Sequence, residues 1–170
     1  MKFNNVDVTR IEMGPFYKLD KEWALLTAGN EQKFNAMTVS WGFFGTMWNK
    51  PAATVFSRPS RYTKVFLERE DHFSLSFFDD SYKKLLGYFG SVSGRDEDKV
   101  TKSGLTPLFE EECGAPYFGE ASLVLICKRL YCGDLKESGF LDKGLIAENY
   151  PSRDFHSFYI GEVIKAYRSK

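Results

Sequence analysis

Apolar runs of strand length, each closed by a turn residue, recur from residue 23 to residue 167, and nowhere does the chain alternate strand and helix as a parallel sheet requires. Residues 23–28 form a compact apolar run stopped by Gly29-Asn30, a reversal signal, and residues 34–41 pair back naturally. Gly42 and Gly45 then interrupt the pattern where a strand bends, bulges or lets a ligand approach the backbone. A turn is expected at Asn49-Lys50-Pro51, followed by a third strand over residues 51–56. His72-Phe73-Ser74-Leu75-Ser76-Phe77-Phe78 alternates small polar and large apolar side chains, the signature of a half-buried strand. Residues 121–132 give the longest strand pattern, residues 133–151 read as a loop, and residues 156–167 read as the last strand. Three helices fit between these strands. One spans residues 61–70 with Val65, Phe66, Tyr62 and Arg69 facing inward; one carries Tyr82, Leu85, Leu86 and Phe89; a short third one runs to Lys102. The expected class is mainly β, an antiparallel barrel with two or three inserted helices.

With 170 residues, 43% hydrophobic and 16% aromatic, residues 1–170 suffice for a single domain with a full core. Lys plus Arg and Asp plus Glu both number 23, so net charge gives no argument for nucleic acid or a membrane surface, and neither is expected as a partner. Cys113, Cys127 and Cys132 form no C-x-x-C pair, and an odd number argues against a disulfide framework. Cys127 and Cys132 differ in parity and so face opposite sides of a strand. The opening MKFNNVDVTR lacks the apolar core of a secretory signal. A soluble protein of the reducing cytoplasm is expected.

The chemistry concentrates in SRPSRYT at residues 57–63, where Ser57, Arg58, Ser60, Arg61 and Thr63 crowd the entrance of a helix, with Ser60 as its expected N-cap. Amides, hydroxyls and guanidiniums together suit a phosphate. Ordinary capping of a solvated helix start is the competing reading. A second cluster, residues 91–99, holds Ser91, Ser93 and Lys99, with Ser93 and Asp96 at capping-box spacing. A capped surface helix explains it alone; both clusters together point to one extended polar ligand. Thr38 and Ser40 share parity and can face that ligand from one strand. No acid, base or nucleophile stands out. His72 and His156 lie far apart and no cysteines cluster, so no metal site is expected.

In order along the chain, NAMTVSW (35–41), NKP (49–51), VFSRPSRYT (55–63), FSLSFF (73–78), SGRDEDK (93–99) and D-x-H-x-x-Y-I-G-E (154–162) resemble the flavin reductase and flavoredoxin family, which has the FMN-binding split-barrel fold. The resemblance implies a homodimer that binds FMN in a groove near the subunit interface, with NADH, NADPH or a redox protein as electron donor. It implies that Thr38, Val39 and Ser40 lie against the flavin ring, and that Ser57, Arg58, Arg61, Tyr62 and Thr63 lie near the phosphate and ribityl chain, joined by Ser91, Ser93 and Lys99. A cation near the pyrimidine end of the ring would favour the reduced anion. Members that use NADH directly carry Gly-Asp-His at the start of the last strand. Here the chain reads Arg153-Asp154-Phe155-His156, with Phe155 separating acid from imidazole, and His156 is the one candidate for a catalytic side chain. Three readings stand at this point: an FMN-dependent oxidoreductase, an FMN electron carrier for a protein partner, and a barrel that binds a phosphorylated ligand without redox work.

Overall fold

The structure, a computed structural model, describes residues 3–169. Strands β2 (Ala24–Gly29) and β3 (Phe34–Val39) make the first hairpin. Gly29 has φ 132°, and a Cβ there would fall 2.3 Å from the Phe34 Cα, so only glycine lets the chain reverse this closely. Strands β4 (Gly42–Met47) and β5 (Lys50–Ser57) make the second, turning on Trp48 and Asn49 at φ 51° and 59°. The turn is thus earlier than Asn49-Lys50-Pro51. A two-residue hairpin turn takes a left-handed pair, which asparagine tolerates and proline cannot supply, so Lys50 and Pro51 open β5 instead.

With β6 (His72–Phe77), β9 (Leu123–Asp134) and β10 (Ser157–Ser169), the sheet runs β3-β2-β6-β9-β10-β5-β4, every pair antiparallel, and β1 (Phe3–Asn5) adds to β10. Strands β7 (Pro107–Phe109) and β8 (Pro116–Phe118) form a separate ribbon. Strands β3 and β4 are the two edges of the path, yet only Ser40 and Trp41 separate them in the chain. Three Cα steps span at most about 11 Å, so the sheet must curl until its edges approach at that end. The result is a mainly β split barrel: closed by shape along the β3–β4 seam, without a ladder across it.

Inside the barrel pack Leu26, Met37, Val55, Phe73, Leu75, Phe77, Leu125 and Tyr159; a second cluster outside β2, β3 and β9 joins Leu25, Ala36, Leu86, Phe89, Phe118 and Ile126. Strand β6 is therefore buried on both faces, not half-buried: β8 covers its serine face, and the Ser74 hydroxyl donates to the Pro116 carbonyl. Helices are α1 (Pro15–Tyr17), α2 (Thr63–Arg69), α3 (Lys83–Ser91), α4 (Lys99–Ser103) and α5 (Gly144–Asn149), the last lying where the sequence reads as loop. Because α2 starts at Thr63, its buried stripe is Thr63, Phe66 and Leu67, and Val65 is exposed. Tyr62, not Ser60, occupies the N-cap position, with no side-chain cap. The α4 cap is Asp98, which accepts from the Val100 and Thr101 amides at 3.1 Å; Ser93 instead accepts from the Arg95 amide.

The β7–β8 ribbon is tied to β10 through Glu110. This buried carboxylate accepts from the Glu112 and Cys113 amides at 2.8 Å and from Lys165 Nζ at 2.7 Å. Burial opposes its ionisation, but Lys165 and the two amides outweigh that and hold the carboxyl at about 2, below its ordinary 4.5. A depressed carboxylate contributes stability above its unfolded pKa and loses it as pH falls toward the folded one. Glu110→Gln is expected to cost about 2 kcal/mol at pH 7, in the range for hydrogen bonds to a charged group. Urea unfolding at pH 7 and at pH 3 measures this, and the difference from the parent chain shrinks at the lower pH.

Candidate functional site

A groove starts at the seam. Its first hollow, about 160 Å³, is walled by Met37 to Trp41 at the end of β3, by Phe56, Ser57 and Arg58 leaving β5, and by Arg61 and His156. Edge strands carry unpaired N–H and C=O groups on their outer side, so the end of β3 presents main-chain donors and acceptors here. Val39 and Met37 point into the barrel core. The Thr38 hydroxyl donates to the Leu86 carbonyl of α3, which turns it toward the helix, while Ser40 lies exposed beyond the strand. Trp41 leans on the His156 ring, with centroids 5.2 Å apart, and Phe56 meets that ring edge-on at 6.3 Å.

His156 is buried, and its Nδ1 shares a 2.8 Å hydrogen bond with the Tyr150 hydroxyl. Burial, reinforced by the Arg58 charge against the weaker pull of Asp154, lowers its pKa to about 4. It is a neutral imidazole near pH 7. Asp154 does not reach it: the carboxylate accepts from Arg58 Nη1 at 2.8 Å, the Arg58 Nη2 donates to the Asn149 carbonyl at 2.8 Å, and the guanidinium rests 5.0 Å from the Tyr150 ring centroid. Arg58 is thus spent on holding the 149–154 segment over the groove.

A second hollow of about 200 Å³ continues from the first; Met37 and Arg61 belong to both walls. Here Asn35, Ser60, Tyr62 and Thr63 face Ser91, Ser93, Gly94 and Lys99. Thr63 is fully buried and its hydroxyl accepts from Asn35 Nδ2 at 2.7 Å. The Ser91 hydroxyl donates back to the Tyr88 carbonyl at 3.2 Å. Arg61 Nη1 donates to the Gly90 carbonyl at 2.8 Å. Lys99 is 3% exposed, and its ammonium donates to the Phe89 carbonyl at 3.0 Å. Burial and then the Arg61 charge lower the Lys99 pKa to about 8. Among the described residues neither Lys99 nor Arg61 has a carboxylate at ion-pair distance. A buried cation beside a second cation, with no acid between them, is an arrangement that an anion would stabilise.

The groove brings together all the residues that the two sequence clusters and β3 contribute, and it adds Asn35, Met37, Trp41, Phe56 and Gly90, with Tyr150 behind His156. Trp41 and Phe56 stand inside the quoted motifs NAMTVSW and VFSRPSRYT, beside the residues assigned to the ligand, and were within reach of a strand-end argument. Tyr150 lies in the segment whose pattern reads as loop, and nothing local marks it.

The chain matches the flavin reductase like domain model over residues 16–170. No curated protein matches it. Among solved structures, flavoredoxin from Methanosarcina acetivorans is similar at 25% identity and TM-score 0.67, covering 95% of this chain and 76% of that one. Flavoredoxin of Desulfovibrio vulgaris (Miyazaki F) is 22% identical at TM-score 0.67, covering 87% and 69%. An FMN-binding domain of a flavin reductases-like enzyme from Shewanella baltica OS155 is 19% identical at TM-score 0.69, covering 98% and 77%. The split barrel with a seam groove and the match across nearly its whole length agree, and the chain belongs to the flavin reductase-like family.

Proposed function

We propose that the chain is an FMN-binding oxidoreductase of the flavin reductase type, drawing electrons from NADH, NADPH or a redox protein. The observation that carries this is the paired cation site: Lys99 and Arg61, without an acid partner, fit the doubly charged phosphate of FMN. The hollow beyond Arg61 fits the other end of the same molecule, with apolar walls from Met37, Val39, Trp41 and Phe56 and the main-chain edge of β3 for the polar rim of a flavin ring. Thr38, Val39 and Ser40 would bound the ring; Ser57, Arg61, Tyr62, Thr63, Ser91, Ser93 and Lys99 would hold the ribityl phosphate. Arg58 would act one step back, fixing the 149–154 segment through Asp154 and Asn149. When bound, FMN supplies the redox chemistry, accepting a hydride and passing electrons on. His156, neutral and held by Tyr150, serves as a wall of the ring hollow; a group with pKa near 4 carries almost no proton to give at pH 7.

Beyond the ring hollow, and sharing Ser40, Trp41 and Phe56 with it, lies an apolar hollow of about 540 Å³ lined by Phe16, Leu19, Phe43, Phe44 and Leu135. Phe16 is 93% exposed and Phe43 68%. Exposed aromatics at the mouth of a site call for a cover, and we assign that role to a second copy of the chain, in a homodimer that leaves room for the donor. The same face also suits a docked redox protein, which is the carrier reading. No helix among the described residues is long and apolar enough to cross a membrane.

The first test is the visible spectrum after adding FMN, then anaerobic NADH or NADPH. The expected result is a bound flavin band that bleaches with one of them; a bound band that persists favours the carrier, and no bound flavin removes both. Arg61→Ala is expected to weaken FMN by about 1.5–3 kcal/mol while leaving riboflavin nearly unchanged. Equal losses for the two ligands would overturn the phosphate assignment.

The anion site also has a pH signature. A phosphate binds the protonated Lys99 more tightly, so between about pH 7, where the phosphate is already doubly charged, and about 8 FMN affinity is level, and it falls as pH rises through the Lys99 pKa. Lys99→Met should weaken binding at neutral pH and abolish that alkaline fall, as read by flavin fluorescence titration from pH 6.5 to 9.5.

A further inference from the structure

The His156 imidazole is fixed on all but one edge. Its main-chain carbonyl accepts from the Leu135 amide at 2.9 Å, which pins the backbone, and Trp41 and Phe56 pack against the ring. The third contact is polar: Nδ1 and the Tyr150 hydroxyl share the 2.8 Å hydrogen bond. His156 lines the ring hollow, whereas Tyr150 lines the neighbouring apolar hollow and not this one, so the Nδ1 edge is turned away toward the 149–154 segment. The other nitrogen, Nε2, has no hydrogen-bond partner among the described residues. Nor is it one of the enclosed unpartnered atoms there, which are the hydroxyl oxygens of Thr27, Ser76 and Tyr88. Its opening is the ring hollow.

Which nitrogen carries the hydrogen follows from Tyr150. A neutral imidazole has one N–H and one lone-pair nitrogen, and the bond made by one decides the state of the other. Tyr150 is 4% exposed, and its hydroxyl has no other acceptor among the described residues. A buried hydroxyl must place its hydrogen, and Nδ1 is the acceptor in reach. The phenol therefore donates, Nδ1 is the lone-pair nitrogen, and Nε2 holds the hydrogen. A carboxylate at Nδ1 would instead favour the charged ring; Asp154, the acid nearest in sequence, is held by Arg58 Nη1. Tyr150 is fixed in its turn, with the Arg58 guanidinium 5.0 Å from its ring centroid and the Phe140 and Phe155 rings at 5.7 and 5.0 Å. Burial keeps the imidazole neutral near pH 7, so its N–H is a hydrogen-bond donor and not a source of protons.

Resting on the FMN reading of the groove, we propose that Tyr150 is a positioning residue: by taking Nδ1 it presents the Nε2–H of His156 to the ring hollow, as a donor to an acceptor atom on the polar rim of the flavin. The acceptors on that rim are carbonyl oxygens and ring nitrogens, which gain electron density when the ring is reduced. A donor already oriented by the fold holds the reduced ring more tightly than the oxidised one, because nothing has to reorganise as the charge develops. Tyr150 touches no ligand itself; it acts through the tautomer of its neighbour.

Tyr150→Phe tests this, because it keeps the ring against which Arg58, Phe140 and Phe155 pack and removes only the hydroxyl. The chain has two histidines, so long-range proton–nitrogen NMR spectra of the full chain without ligand show two imidazoles, which His156→Gln assigns. His156 is expected as the Nε2–H tautomer in the parent and as a mixture of both tautomers in Tyr150→Phe, and the parent's Nε2 signal is expected to shift when FMN is added. In titrations with oxidised and with anaerobically reduced FMN, Tyr150→Phe is expected to weaken the reduced form about threefold or more relative to the oxidised one, the size of one hydrogen bond. An Nδ1–H tautomer in the parent, a tautomer unmoved by Tyr150→Phe, an Nε2 signal indifferent to bound FMN, or equal losses for the two redox forms would overturn the positioning role and leave the FMN reading standing. Failure of the parent chain to bind FMN in either form would overturn both.

Discussion

Everything in this molecule follows from the two-residue joint at Ser40-Trp41. It ties together strands that are the opposite edges of a long antiparallel path, and so forces a sheet to become a barrel. Closure by covalent tether differs from closure by hydrogen bonds. The edges are brought together but not stitched, and the unsatisfied backbone along β3 is left facing a groove. A fully laddered barrel would have used those groups up. The candidate site is thus a by-product of how the sheet closes, with side chains from β5, α2, α3 and α4 arranged around a seam that the topology leaves open.

Electrostatics divide the groove into unlike halves. Around His156 the imidazole is uncharged and packed against Trp41 and Phe56, and Arg58 is matched by Asp154, with Arg61 the cation that reaches this wall from the other half. Around Lys99 nothing is matched. An aromatic, neutral compartment next to a cationic one is the polarity of a molecule with a planar heterocycle at one end and phosphate at the other, and few common ligands besides nucleotides and flavins have that shape.

Most of the architecture was legible in the chain. Strand runs such as 72–78 and 121–132 announce themselves by composition and length, and the turn after residue 28 by Gly29. What was not legible depended on tertiary neighbours. Ser74 and Ser76 look solvent-facing by alternation, yet β8 from a distant part of the chain covers them. Pro51 drew the turn toward itself, whereas Trp48 carries an unusual left-handed backbone that its side chain gives no hint of. At the site, the hydroxyls and cations of residues 57–63 were visible as a cluster, but their division of labour was not: Thr63 is occupied by Asn35, and Arg58 by a segment some ninety positions away. Local pattern finds polar residues; only the fold says which of them are already satisfied.

The buried ammonium of Lys99, beside Arg61 and without a carboxylate partner among the described residues, carries one more consequence. A buried charge without a counter-charge is costly, and an anion bound as proposed would relieve that cost, which would link ligand and native state thermodynamically. Synthesis of this protein in a cell short of its ligand would leave a larger unfolded fraction exposed to proteases, and the abundance of the protein would then follow the supply of the molecule it holds.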